Sequence, residues 1–125
     1  MGCFYTDPGT QNPTFGQRWP TGTVAADAMA YVLDDPDAVF RMQANGSLAQ
    51  TTLGNNIAVV QTAGTTQAGR SHNSVNAGTA ATTNTLPLRI LEFVDGPESE
   101  VGDAFTNVLL TYNAGMHQYR RALGT

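Results

Sequence analysis

The chain has 125 residues, and its 10 acidic and 6 basic residues give a formal net charge of −4 at pH 7. This acidic balance argues against a nucleic-acid-binding module, which needs a basic surface to neutralise phosphate. All the basic residues are arginine, which excludes lysine-based catalysis and the P-loop motif, and the single cysteine excludes an intrachain disulfide.

The N-terminal segment, residues 1–23, combines three prolines and several glycines with four of the ten aromatic residues. Proline and glycine at this density disfavour a helix and interrupt a strand, whereas disordered tails seldom carry so many aromatics. We therefore expect an extended N-terminal arm that docks on another surface, followed by a single β domain over residues 24–125. The arm residues expected to contact the partner are Phe4, Tyr5, Phe15, Arg18 and Trp19.

The first part of the β domain alternates between strand and turn signals. Residues 39–44 alternate apolar and polar side chains, which predicts a half-buried strand, and Asn45-Gly46 predicts the turn that ends it. Ser47 begins a capping-box spacing, so residues 47–53 are predicted to form one or two helical turns. Residues 57–60 are predicted to be the next strand.

The second part of the domain contains a long polar segment and the most regular strand patterns. Residues 62–85 are rich in Gly, Thr, Ala, Asn and Ser, and we expect an exposed loop or hairpin there, with a short strand near residues 74–75. Residues 86–94 and 105–113 are rich in apolar and β-branched side chains and are predicted strands. Residues 116–119 are predicted to form a final short strand.

Several short strands separated by turns predict a mainly β fold, a small β-barrel or β-sandwich. The inward-facing residues follow from the two-residue alternation and from β-propensity. They are Phe40, Met42, Ile57, Val59, Leu88, Ile90, Val108, Leu110 and Tyr112.

No pattern in the chain predicts a catalytic, cofactor-binding or metal-binding residue. The acidic run at residues 34–37 lacks calcium-loop spacing and is predicted to be a solvated turn. Ser71 and His72 are adjacent, so in an extended loop their side chains point apart, and no nucleophile elbow surrounds Ser71. The carboxylates that could form a glycosidase pair show no convergent pattern and are expected at the surface: Glu92, Glu98, Glu100 and Asp103.

The composition indicates a protein that works inside an assembly. Only 13% of the residues are charged, against a typical ~25%, and arginine is the basic residue preferred at protein interfaces. The basic end, Arg120 and Arg121, is therefore a second expected contact region beside the arm.

Three blocks of the sequence resemble small cement, or decoration, proteins of tailed-bacteriophage heads. They are DDPDAVFRMQANGSLAQTTLGNN at residues 34–56, TLPLRILEFVD at 85–95 and GDAFTNVLLTYNAGMHQYR at 102–120. Together they cover about half of the chain, in the same order as in that family.

The resemblance implies a jelly-roll-like or small barrel fold without enzymatic activity or cofactor. It implies a protein on the exterior of the virion that binds the major capsid protein of HK97-type fold and bridges neighbouring subunits. It also implies homo-oligomers, dimers or trimers.

Two other functions remain open at this stage. A carbohydrate- or host-surface-binding β-module of a head fibre or tail would use Trp19, Tyr31 or Tyr119 as a stacking platform. A small hydrolase is disfavoured because no triad or carboxylate pair is visible. No apolar run approaches the ~18 residues of a membrane span and no secretory leader is visible, so we expect no membrane partner and synthesis in the host cytoplasm.

Overall fold

The computed structural model describes residues 2–65, 67 and 71–114. In this part of the chain nine β-strands form three antiparallel sheets, with two short 3-10 turns between them. The chain divides into two compact units, Met1–Asp34 and Asp35–Thr125. The mainly β prediction is confirmed, and none of the sheets closes into a barrel among the described residues.

The first unit is a three-stranded antiparallel sheet in the order β2-β1-β3. Asp7 organises the turn between β1 and β2, because its carboxylate accepts hydrogen bonds from the backbone N–H groups of Gly9 and Thr10 at 2.7 and 3.3 Å. Gln11 closes the same turn with a φ of 57°. The strands are β1 (Gly2–Thr6), β2 (Pro13–Gly16) and β3 (Met29–Tyr31).

This sheet differs from the extended arm expected over residues 1–23. Pro8 lies in the turn and Pro13 is the first residue of its strand, where a missing N–H is tolerated, so the prolines leave the ladder intact. β3 lies beyond residue 23 and pairs with β1. The unit therefore ends at Asp34, eleven residues later than the boundary expected from the sequence.

The second unit contains a four-stranded antiparallel sheet in the order β4-β9-β8-β5 and a two-stranded sheet of β6 and β7. The predictions of strands at 39–44, 86–94 and 105–113 are confirmed, and so is the short strand at 74–75. The predicted strand at 57–60 is two strands in different sheets. The strands are β4 (Val39–Gln43), β5 (Asn56–Ile57), β6 (Val59–Val60), β7 (Ser74–Val75), β8 (Leu88–Phe93) and β9 (Asn107–Tyr112).

The buried core lies on one face of the four-stranded sheet. Five predicted core residues belong to it, and Met42 and Tyr112 pack against it from half-buried positions. Phe40 is also half-buried and packs edge-on against Tyr112, with 5.2 Å between ring centroids. The core residues are Ala44, Leu48, Ile57, Val75, Leu88, Ile90, Val108 and Leu110.

Val59 was predicted to face inward, and this was wrong, because its side chain is 37% exposed. The chain leaves the four-stranded sheet after Ile57 and joins β7 at Val59. The two-residue alternation therefore does not continue through residues 57–60, and Val75 from β7 fills the core instead.

The helical prediction at residues 47–53 holds only for a single 3-10 turn at Gln50–Thr52. Ser47 does not cap it, because its hydroxyl donates to the Gly102 carbonyl at 2.8 Å. The neighbouring Leu48 is fully buried in the core, and its N–H donates to the Thr106 hydroxyl at 3.2 Å. This segment is thus held by packing and long-range hydrogen bonds and not by a helix cap.

Two buried asparagines attach the polar segment to the sheet. The Asn56 side-chain amide donates to the Thr83 carbonyl at 2.9 Å, and the Asn113 amide donates to the Asn84 and Leu86 carbonyls at 2.9 and 2.8 Å. These bonds provide hydrogen-bond donors to backbone carbonyl groups that lie outside the strands. The first half of the polar segment joins the antiparallel strands β6 and β7, and its described residues before β7 are exposed, as predicted for a loop or hairpin. The second half is tied to the sheet by these bonds, which the sequence did not predict.

Candidate functional site

One face of the first sheet carries apolar side chains from all three strands. Phe4 in β1 is paired with Phe15 in β2 and with Met29 in β3, and directly opposed residues place their side chains on the same face. Tyr31 lies two residues after Met29 and so shares that face. We call these four residues, Phe4, Phe15, Met29 and Tyr31, the apolar face.

The apolar face is well exposed to solvent. Phe15, Met29 and Tyr31 are 63%, 59% and 56% exposed, while Phe4 is half-buried between its neighbours. Side chains of this size present ~150–250 Å² each when fully exposed, so the three leave about 300 Å² of surface open to water. Contiguous apolar patches of about this size on a small protein are often functional.

The Phe15 ring crosses the sheet above Gly2. A Cβ at Gly2 would lie 2.8 Å from the tip of that ring and 2.7 Å from the Gly16 carbonyl oxygen, so only glycine leaves room there. The ring then reaches Tyr31, with centroids 5.9 Å apart and planes inclined by 59°. Because residue 2 is glycine, the Phe15 ring of β2 and the Tyr31 ring of β3 can meet above it and form one continuous surface.

The strands of this sheet carry no charged residue, as their sequences GCFYT, PTFG and MAY show. The nearest charges in sequence, Asp7, Arg18 and Asp27, lie in the connecting segments. A partner would therefore meet an uncharged apolar surface with charges only in the flanking loops. Such a surface favours association by burial of apolar area over ion pairing.

The opposite face of the sheet holds the other predicted arm residues. Tyr5 is buried and packs against Trp19, with ring centroids 4.9 Å apart. The Cys3 thiol donates to the Arg18 carbonyl at 3.1 Å, which holds residues 16–19 against β1. Tyr5, Arg18 and Trp19 thus help build the unit, and the structure does not bring them together with Phe4 and Phe15 on one surface.

Asp27 extends the hydrogen-bond ladder between β1 and β3. Its carboxylate accepts from the Thr6 N–H, with both oxygens at 3.1 Å, and from the Thr6 hydroxyl at 2.6 Å. These bonds, the hydroxyl first, lower the pKa of the Asp27 carboxyl below its ordinary value of 3.8. Asp27 therefore fixes the chain that leads into β3 and so positions Met29 and Tyr31.

Sequence reasoning missed Met29 and assigned Tyr31 only to the alternative sugar-binding function. The available signal was the short apolar stretch at residues 28–33, but a lone stretch does not reveal its strand partner. The predicted contacts Arg120 and Arg121 lie outside the described residues.

The residues considered for catalysis or metal binding are exposed at the surface. Asp35 accepts from the Asp37 N–H at 2.9 Å, which makes the acidic run an exposed turn, as predicted. Ser71 accepts from the Asn73 N–H at 3.1 Å, and His72 is exposed. Over the described ranges no three His, Cys, Asp or Glu side chains come close enough to hold a metal ion.

The part of the chain with described coordinates contains no helix of sufficient length and apolar character to cross a membrane. Comparisons with protein-family models, with curated proteins and with solved structures gave no match.

Proposed function

We propose that this chain is a structural cement protein of a tailed-phage head, which binds the outer surface of an HK97-type capsid and bridges neighbouring major capsid subunits. The observation that carries the proposal is the apolar face, with three large apolar side chains more than half exposed. The resemblance of residues 34–56, 85–95 and 102–120 to decoration proteins supports the identity of the partner.

The first unit is poorly stabilised by its own interior. Cys3 and Tyr5 are the buried hydrophobic residues among those described in Met1–Asp34. Domains below about 40 residues usually need a disulfide, a metal or a partner to be stable, and this chain has one cysteine. Burial of the apolar face against another protein would supply the missing core.

A modest contact per subunit is sufficient on a shell. Specific interfaces bury about 1,200–2,000 Å² in total, more than the apolar face alone can contribute. A homodimer or homotrimer would present two or three such faces at once, and linked contacts combine through their effective concentration. We therefore also propose the oligomeric, jelly-roll-like form that the resemblance implies, located on the exterior of the virion, without cofactor or enzymatic activity.

Sugar binding is the weaker alternative for the same surface. Sugar rings stack on flat aromatic faces, whereas the Phe15 and Tyr31 rings are inclined by 59°, and Trp19 is packed against Tyr5. A surface with inclined rings fits the irregular side-chain surface of a protein better than it fits a planar ligand.

Sedimentation with capsid shells that lack this protein tests the proposal. The purified chain is expected to pellet with the shells at a fixed ratio and to pass through a polysaccharide resin. Retention on the resin without binding to the shells would overturn the capsid assignment and favour a sugar-binding module.

A further inference from the structure

β4 is an outer strand of the four-stranded sheet, and part of its outer edge is open. The Ala44 N–H donates to the Thr106 carbonyl at 2.9 Å, so residue 44 points its backbone groups toward the segment that leads into β9. Because orientation alternates along a strand, Phe40 and Met42 also face β9. Val39, Arg41 and Gln43 therefore direct their N–H and C=O groups away from the sheet.

β7 covers one end of this edge. The Asn45 N–H, which has the same orientation, donates to the Val75 carbonyl at 2.9 Å, and the parallel bridge between Ala44 and Val75 joins the Gln43 carbonyl to the Val75 N–H. Val39 and Arg41 lie beyond this bridge, and no described strand pairs with them on this side of β4. An unpaired row of backbone donors and acceptors is a template for another strand.

Side chains along this edge differ between the two faces of the sheet. Phe40 and Met42 are half-buried on the core side, while Arg41 is exposed on the other side. Arg41 helps line a cleft of about 240 Å³, together with Val94, Gly96, Pro97, Glu98 and Ser99. Its guanidinium forms no ion pair or hydrogen bond with a described residue.

We propose that the β4 edge accepts an extended segment of another protein as an added antiparallel strand. The added residue opposite Arg41 would share its face, so a carboxylate there would meet an unpaired guanidinium beside the apolar walls of the cleft. Its two neighbours would lie beside Phe40 and Met42. The partner is therefore an extended segment with a central Asp or Glu flanked by apolar residues.

A second copy of β4 is a poorer occupant of this edge. A two-fold antiparallel register through Val39 and Arg41 would place Val39 of the other copy opposite Arg41, so the guanidinium would gain no carboxylate. An acidic residue at that position supplies a charge-assisted partner. Charge therefore favours an acidic partner over self-association, and the inference does not depend on the apolar face or on the proposed function.

A titration of the full chain with the N-acetylated peptide Val-Glu-Val-Val-Ser, whose Glu would lie opposite Arg41, tests this proposal, followed through the backbone amide NMR signals. At about millimolar peptide, the amides of Val39 and Arg41 should shift. A peptide with Gln in place of Glu should bind about tenfold more weakly, because the charge-assisted bond is lost. In Arg41→Gln this difference should disappear, while Glu98→Gln should keep it.

Methylated peptides provide the matched control for strand addition. N-methylation of the peptide's Glu removes the N–H that would face the Arg41 carbonyl and should abolish binding. N-methylation of the preceding Val removes an N–H that faces away and should be tolerated. Equal binding of the two methylated peptides, equal binding of the Glu and Gln peptides, or unchanged β4 amides would each overturn the proposal.

Discussion

At the scale of single residues, side-chain hydrogen bonds in the first unit hold β1 and β3 together beyond the positions where their backbones pair. β1 and β3 share only three paired positions, and the Asp27 carboxylate adds a further connection at Thr6. A charged acceptor makes a stronger hydrogen bond than a neutral one. The exposed carboxylate of Asp27 therefore ties the segment before β3 to the end of β1.

Lowering the pH should weaken the hydrogen bonds between Asp27 and Thr6. The pKa of Asp27 is lowered in the folded chain, below 3.8, so its contribution is fully present above the unfolded value and is lost as pH falls through the folded value. The Thr6 amide signal, followed by NMR, should titrate with a midpoint below 3.8. Asp27→Asn should remove this transition, while Asp95→Asn, at another exposed carboxyl, should preserve it. A Thr6 midpoint at or above 3.8 would contradict the bond.

At the scale of elements, β8 shows how one extra residue keeps a strand on the core. Ile90 is opposite Leu110 and Glu92 is opposite Leu109, so Leu91 is the additional residue of a β-bulge. Without the bulge, strict alternation would place Phe93 on the solvent side. With it, Phe93 packs against the core and Leu91 is exposed.

Truncation of Leu110 should test the central strand. Leu110 is fully buried, so Leu110→Ala is expected to lower the free energy of unfolding by about 2–5 kcal/mol. Val59→Ala removes part of an exposed side chain and should change it by less than about 0.5 kcal/mol. Both values come from urea unfolding of the full chain. Equal effects of the two substitutions would show that the core is placed wrongly.

Much of the second unit could be predicted from sequence, because β4, β8 and β9 each bury one face and so alternate. Residues 57–60 could not, since a run of apolar residues does not show that the chain changes sheets at Ala58. The bulge at Leu91 could not be predicted either, because a bulge is defined by the register with the neighbouring strand, which the sequence of one strand does not show.

The candidate site was predicted only in part. Aromatic enrichment drew attention to Phe4 and Phe15, but it could not separate them from Tyr5 and Trp19. That separation depends on the pairing of Phe4 with Phe15 and Met29, and pairing between strands is a long-range property. Met29 lies 25 positions from Phe4 in the chain.

At the scale of the whole molecule, the two units differ in how they are stabilised. The core cluster draws all its residues from the second unit, whereas the first unit exposes most of its large apolar side chains. The second unit should therefore fold without the first, and the first should gain stability when its surface is covered.

Deletion of residues 1–34 tests this division. The remaining chain should keep a cooperative urea transition, because none of its core side chains is removed, but it should lose binding to capsid shells. A chain that lacks only residues 1–22 should aggregate more readily than the 35–125 chain, since the deletion leaves the apolar strand β3 without its partner β1. Loss of cooperative unfolding in the 35–125 chain would show that the first unit belongs to the core.

The most direct test of the proposed attachment surface compares two exposed phenylalanines. Phe15 on the apolar face and Phe105 in the second unit are 63% and 58% exposed, so their truncation should be equally mild for folding. Occupancy of capsid shells is measured by sedimentation for wild type, Phe15→Ala and Phe105→Ala across a salt series.

Phe15→Ala should weaken binding by about 2 kcal/mol, as expected for a buried aromatic anchor, while Phe105→Ala should bind like wild type. Because exposed ion pairs are weak and screened by salt, the wild type should remain bound at high salt. Release of the wild type by salt, together with normal binding of Phe15→Ala, would contradict attachment through the apolar face.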